Sequence, residues 1–147
     1  MGMATIVANY DGPLFLVVAK TFYNQALIKE MFSFPLTTQY YAAHFPLYPV
    51  LIRLFATVFG YPYGMLVSTI SCSFLAILFF YKFIARYINK PNALWLTLVF
   101  SLFPARWLIV RSVGSAEPLF VAATIASIYY FKDKKYLYAG LWGAAAQ

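Results

Sequence analysis

The sequence predicts an all-α, polytopic membrane protein, and three observations point to it. Of 147 residues, 63% are hydrophobic and only 10% charged. Soluble domains run at roughly 45–50% apolar and about 25% charged residues. A domain this small has too much surface for its volume to bury that excess, so the remainder faces lipid. The apolar residues also come in runs close to the roughly 20 residues that a helix needs to cross a bilayer. Finally, the basic residues behind the net charge of +7 sit mostly at the ends of those runs. In a soluble protein such a charge would suggest nucleic acid. At the ends of apolar runs it marks the cytoplasmic side and meets anionic headgroups. Membrane lipids are the expected partners, and nucleic acid is not.

Residues 1–62 read as an outer-loop region. Met1 to Asn9 has neither a basic leader nor a cleavage site, so no signal peptide is expected there. Pro13 can open a helix, because its missing N–H costs nothing at the first position. Over 13–31 a helical wheel groups Lys20, Thr21, Asn24, Gln25 and Lys29 against Phe15, Ala19, Phe22, Tyr23 and Ala26. That arc predicts an interfacial helix, lying in the membrane surface rather than crossing it. The aromatic connection "FSFPLTTQYYAAH" follows, with Tyr40 and Tyr41 at headgroup depth. Segment 45–60, "FPLYPVLIRLFATVFG", is apolar but too short to span, and reads as partly inserted.

Residues 63–147 read as a bundle of about four transmembrane helices, near 63–84, 93–110, 117–131 and 136–147. The second is interrupted by Pro104 and Arg106, and the last stops at Gln147 without polar flanks, as if truncated. The chain therefore looks like a piece of a longer protein. Two basic loops, Lys82–Lys90 and Lys132–Lys135, are separated by two spans and so lie on one side, the cytoplasm by the positive-inside rule. "RSVGSAE", Arg111 to Glu117, then lies outside. Asp11 is outside if 45–60 does not cross, and inside if it does. No internal repeat suggests an inverted-repeat transporter, but the charged residues near spans and the proline-broken helices keep a transporter or flippase fragment as the alternative reading. Cys72 is alone, which excludes an intrachain disulfide.

The four acidic residues are Asp11, Glu30, Glu117 and Asp133. Asp133, among lysines, reads as a solvated charge, and Glu30 as a surface one. Asp11 before Gly12-Pro13 suits a helix start, with its side chain accepting backbone N–H groups. Its functional reading is a carboxylate at the membrane surface acting as general base or ligand. Glu117 follows Ser115, a good N-cap, and a glutamate in the first turn is favoured by the helix dipole. It is also a candidate for function at a membrane boundary near two arginines. Arg106 lies deep enough to need Glu117 or an anionic ligand, and Arg111 can snorkel to the interface. The guanidinium fork of Arg106, Arg111 or Arg53 matches phosphate oxygens. His44 reads as a packed interfacial histidine or a ligand contact, and without a second histidine no metal site is indicated.

Three motifs, "YDGPLF" (Tyr10–Phe15), "AHFPLYPVLIR" (Ala43–Arg53) and "GSAEPLF" (Gly114–Phe120), resemble the PIG-V-type mannosyltransferases of the glycosyltransferase-C superfamily. The family pattern has an aromatic-Asp-Gly in its first outer loop, an F-P-L-Y-P-L-L-I-R segment and a Ser-x-Glu-x-Leu-Phe heading a later span. The three matches occur in that order. The resemblance implies an inverting glycosyltransferase that moves a sugar, mannose, from a polyprenyl-phosphate donor to an acceptor on the non-cytoplasmic face. It implies Asp11 as the catalytic carboxylate and favours a segment 45–60 that does not cross. Arg106, Arg111, Glu117, Arg53 and His44 become candidates for holding substrate and donor phosphate. No cofactor is required by the sequence, and a divalent metal is not indicated. The membrane would be the plasma membrane of a prokaryote, or the endoplasmic reticulum of a eukaryote. Two departures stand out: an aromatic is usual where His44 stands, and Asn-Pro-Ala where this chain has Phe103-Pro104-Ala105. The first span of such enzymes and their later spans are missing, so this piece alone is expected to be inactive.

Overall fold

A computed structural model describes residues 11–33, 37–102 and 105–146, without the side chains of Thr38 and Arg106. The signal-peptide reading, on 1–9, lies outside them. Every element among the described residues is helical: α1 (Gly12–Thr21), α2 (Gln25–Met31), a 3-10 helix (Thr38–Ala43), α3 (Leu47–Phe59), α4 (Tyr61–Ile84), α5 (Lys90–Leu102), α6 (Ala105–Val110), α7 (Glu117–Lys132) and α8 (Tyr136–Ala145). The chain forms two compact units, 1–68 and 69–147. One helix, α4, is long and apolar enough to cross a membrane.

In the first unit the expected continuous helix over 13–31 is two helices. α1 ends where Phe22 and Tyr23 both take positive φ, 49° and 66°. Left-handed backbone costs roughly 1–2 kcal/mol per non-glycine residue, so something must hold it. Asn24 does so from the far side, its side-chain oxygen accepting from the N–H groups of Ala26 and Leu27 at 3.0 and 3.2 Å. The Tyr23 hydroxyl donates to the His44 carbonyl, anchoring the kink to the following connection. α1 itself is buried over most of its length: Val17, Val18 and Ala19 have no exposure, and Phe15, Leu16 and Thr21 are buried too. Ten residues wedged between neighbours on several sides need no polar face. Thr21 avoids an unpaired hydroxyl by donating to the Val17 carbonyl at 2.8 Å.

α1 packs on α3, and Val17, Val18, Ile28 and Tyr41 form the centre of this core. α3 occupies 13 residues of the predicted 45–60 segment and stops at Gly60, whose φ of 76° favours glycine. α4 starts at the next residue. Just past that turn, a Cβ on Gly64 would lie 2.7 Å from the Ala56 backbone nitrogen and 3.0 Å from the Ile52 carbonyl oxygen. The two backbones touch there, and only glycine permits it. At about 20 Å, α3 is also too short to cross the roughly 30 Å hydrocarbon core.

In the second unit the predicted 93–110 span is two helices, α5 and α6. Pro104, the expected interruption, lies outside the described residues. The predicted 117–131 span is α7, and 136–147 is represented by α8. α7 and α8 form a hairpin turned at Lys134, with φ 57°. Their seam is built from small residues. Ala122, Ala123 and Ala126 are fully buried, Ser127 Oγ donates to the Ala139 carbonyl at 2.9 Å, and a Cβ on Gly143 would lie 3.4 Å from that Oγ. Small residues let helix backbones approach closely, as in membrane bundles.

Two tie points set the run of α7 against α4 within this unit. The Ser115 N–H lies 3.5 Å from Thr69 Oγ1, and the Arg86 guanidinium pairs with Asp133. The stretches between them, 17 residues on one chain segment and 18 on the other, both span about 25 Å as helix. The helices therefore run parallel, with loop 111–117 at one end and both basic loops at the other.

Candidate functional site

Asp11 stands at the N-cap of α1, and the expected capping bond is absent: its side chain accepts no N–H of the first turn. The residue is exposed; its backbone carbonyl accepts from the Phe15 N–H at 3.0 Å, and its side chain makes no hydrogen bond or ion pair with any described residue. Gly12 and Pro13 start the helix without it, since proline presents no N–H to be capped. One turn later, Phe15 packs edge-on against the His44 ring at 5.0 Å and against Tyr48 at 4.9 Å. Tyr40 flanks the imidazole at 5.6 Å.

His44 is fixed at both ends of its backbone, its N–H donating to the Tyr41 carbonyl and its carbonyl accepting from Tyr23. It is buried, and Nδ1 has no well-aligned hydrogen-bond partner among the described residues, although the backbone of Tyr40 and Tyr41 lies close enough to act on the ring. Such an unsatisfied buried atom costs about 1–3 kcal/mol. Burial holds the imidazole pKa below its usual value, while the nearby Asp11 charge pulls it back up.

Arg53 lies exposed on α3, next to fully buried Ile52, with no hydrogen bond or ion pair among the described residues. Asp11, His44 and Arg53 belong to the first unit. Arg106, Arg111 and Glu117 belong to the second.

Arg106 sits in α6, and its side chain lies outside the description. Arg111 is half-buried, and one guanidinium nitrogen donates to the Ser101 carbonyl in the last turn of α5. It thus caps α5 from beyond α6, with its guanidinium 5.9 Å from the centre of the Trp107 ring. A guanidinium has five N–H donors, so Arg111 keeps others for a ligand. Trp107 was not legible as a site residue. Its buried indole N–H has no partner, a fact that only side-chain placement reveals.

Ser115 does not serve as the expected N-cap of α7. That position is Ala116, and the buried Ser115 hydroxyl donates to the Glu117 carboxylate instead. Glu117 is in the first turn, as expected, and forms no ion pair with Arg111 among the described residues.

Asp133 is exposed, as expected, but it is also paired. Both its oxygens accept from Arg86, at 2.6 and 2.8 Å, and the Arg86 guanidinium stacks 3.6 Å above the centre of the Tyr129 ring. The Arg86 hydrogen bonds hold the Asp133 carboxyl below the usual carboxylate range. The partners are 47 residues apart, beyond the reach of any local pattern.

Among the described residues, no three His, Cys, Asp or Glu side chains gather as a metal site would require. A shallow groove on α5, lined by Pro91, Leu94, Trp95 and Leu98, contains no titratable group and so offers no chemistry. No family model, curated protein or solved structure matches this chain. The family resemblance therefore rests on the three motifs.

Proposed function

We propose that this chain is the outer-loop and bundle portion of a multi-pass membrane glycosyltransferase. It moves a sugar, mannose by the motif resemblance, from a polyprenyl-phosphate donor to an acceptor hydroxyl on the non-cytoplasmic face. Asp11 is the general base. The observation that carries this reading is the uncommitted carboxylate. An aspartate used to cap a helix would accept a backbone N–H with its side chain, and the Asp11 side chain accepts none among the described residues.

In a single inverting displacement the acceptor oxygen attacks the anomeric carbon, and its proton passes to Asp11. The bond from that carbon to the phosphate oxygen breaks, and its electron pair leaves with the lipid phosphate. Positioned cations stabilise that developing charge. Arg111 with its remaining donors, Arg106 and the unpaired Arg53 are proposed for this, and Glu117 for substrate hydroxyls.

The multi-pass reading is supported by the large apolar side chains that the second unit leaves exposed and the small polar ones it buries. Phe74, Leu94, Trp95, Val99, Phe120, Leu137 and Leu141 are exposed. Thr69, Ser73, Thr97, Ser115 and a set of alanines are buried. Water would penalise that arrangement and lipid would not.

The test is transfer from undecaprenyl-phosphate-linked radiolabelled mannose by membranes containing the full-length protein. Asp11→Asn should lower the rate by about 10²–10⁴-fold with unchanged membrane insertion. Full transfer by Asp11→Asn overturns the assignment. Movement of the intact donor across the membrane without transfer would point to a transporter.

A further inference from the structure

One end of the second unit gathers positive charge that nothing neutralises. Loops 82–90 and 132–135 carry Lys82, Arg86, Lys90, Lys132, Lys134 and Lys135 against a single carboxylate, Asp133. That carboxylate is already committed. Both its oxygens accept from Arg86, whose guanidinium also stacks 3.6 Å above the centre of the Tyr129 ring. The lysines are exposed and form no ion pair among the described residues. Like charges repel, yet direct contact between Arg86 and Asp133 holds the two loops together across 47 positions of sequence. A second contact works in the same sense. Lys82, in the last turn of α4, lies 5.9 Å from the centre of the Phe79 ring. That ring meets Tyr129 and Tyr130 of α7 and Trp142 of α8, so both loops stand on one aromatic base.

The surface beside the lysines is apolar. Tyr87, Phe131, Leu137 and Tyr138 are each more than half exposed. An acidic soluble partner would match the charge but leave these side chains in water. A phospholipid matches both, with a phosphate for the ammonium groups and acyl chains for the aromatic and aliphatic ones.

We propose that the joined loops 82–90 and 132–135 form one recognition surface for an anionic glycerophospholipid. The lysines hold its phosphate, and its acyl chains lie along the exposed apolar side chains. The Arg86–Asp133 pair does not touch the lipid; it fixes the spacing of the lysines that do. The charge rule for membrane topology requires only that lysines lie on one side. A joined surface requires that they act together, whatever reaction the chain carries out.

For the test, the full-length protein in detergent receives equimolar phosphatidylglycerol and phosphatidylcholine, and retained lipids are counted by native mass spectrometry. Wild type should retain phosphatidylglycerol in preference. Lys132→Gln with Lys135→Gln should weaken that retention by about fivefold per lysine. Lys20→Gln with Lys29→Gln, an equal loss of charge in the first unit, should leave it unchanged. Asp133→Asn gives the sharper contrast, because it raises the net charge by one. A diffuse positive field would then hold the lipid more tightly, whereas a surface aligned by the ion pair holds it less tightly. Tighter retention in Asp133→Asn, or undiminished preference in the double lysine variant, overturns the proposal. The double variant changes only exposed side chains, so its result stands even where Asp133→Asn unfolds. Displacement by inorganic phosphate, but not by chloride at equal ionic strength, would make this a site for the free ion. Equal binding of a glutamate-rich peptide would make it a protein-docking surface. Either result removes the lipid.

Discussion

Single residues in this chain are best understood by asking which polar groups are satisfied. Asp11 and the His44 Nδ1 are not, and Asp133 is satisfied twice over by Arg86. The sequence offered Asp11 as a candidate through its aromatic-Asp-Gly motif, while its place before Gly-Pro pointed to a side-chain capping bond that is not made. It could not offer the Arg86 partner of Asp133, because the two lie 47 positions apart and neighbouring lysines disguise the pair. The pair lies near the surface, where a single charge pair contributes little. Its bidentate geometry over Tyr129 nonetheless makes it testable. Asp133→Asn should lower the Tm of the detergent-solubilised protein, and more so at low salt, since screening already weakens the pair at high salt. The exchange Arg86→Asp with Asp133→Arg should restore part of the loss. A swap no better than the single variant would mean that the pair is incidental. The pH dependence has a definite sign. Arg86 lowers the folded pKa of Asp133 below 3.8, so the contribution is full above that value and fades as pH falls through the lowered one.

At the level of elements, helices were legible from apolar run length, and their interruptions were not. The 13–31 stretch reads as one amphipathic helix because its wheel divides cleanly, yet it kinks at Phe22 and Tyr23. Asn24 was the available signal: a strong N-cap residue in mid-run marks a second helix start. The burial of α1 had no such signal, since a wheel cannot show how many neighbours surround a helix. Glycines divide in the same way between visible and invisible constraint. Gly60 could be guessed as a helix end. Gly64 looks like an ordinary glycine inside a span, but its Cα meets the α3 backbone. Gly64→Ala should destabilise the protein by about 1–3 kcal/mol, because the obstruction is backbone and cannot swing aside. Gly140, in α8, has nothing within 4 Å of its absent Cβ. There alanine should be neutral or stabilising by up to about 1 kcal/mol. Thermal unfolding of both variants in one detergent checks the contrast, and equal behaviour would mean that α3 and α4 are not in backbone contact.

For the whole molecule the question is orientation, and charge and geometry approach it separately. The sequence argument placed the two basic loops on one side because two apolar runs separate them. Arg86 and Asp133 bring those loops together by direct contact at one end of the second unit, while Ser115 and Thr69 tie the other end. The helical length between the tie points, about 25 Å, is close to the thickness of a hydrocarbon core. Segment 45–60 was the undecided joint. Its helix α3 is too short to cross and turns at Gly60 directly into α4. The topology proposed from the sequence, in which segment 45–60 does not cross, puts Asp11 and His44 on the outer side. The prediction uses the exposed positions Ala43, beside His44, and Lys134. In a Cys72→Ser background of the full-length protein, Ala43→Cys in intact cells should react with a membrane-impermeant maleimide. Lys134→Cys should react only after permeabilisation. The reverse pattern would put Asp11 on the cytoplasmic face, where a base for lipid-linked sugar transfer to an outer acceptor has no use. Labelling of both from outside would mean that the basic loops are not cytoplasmic, and the charge rule would then have failed before any question of chemistry arises.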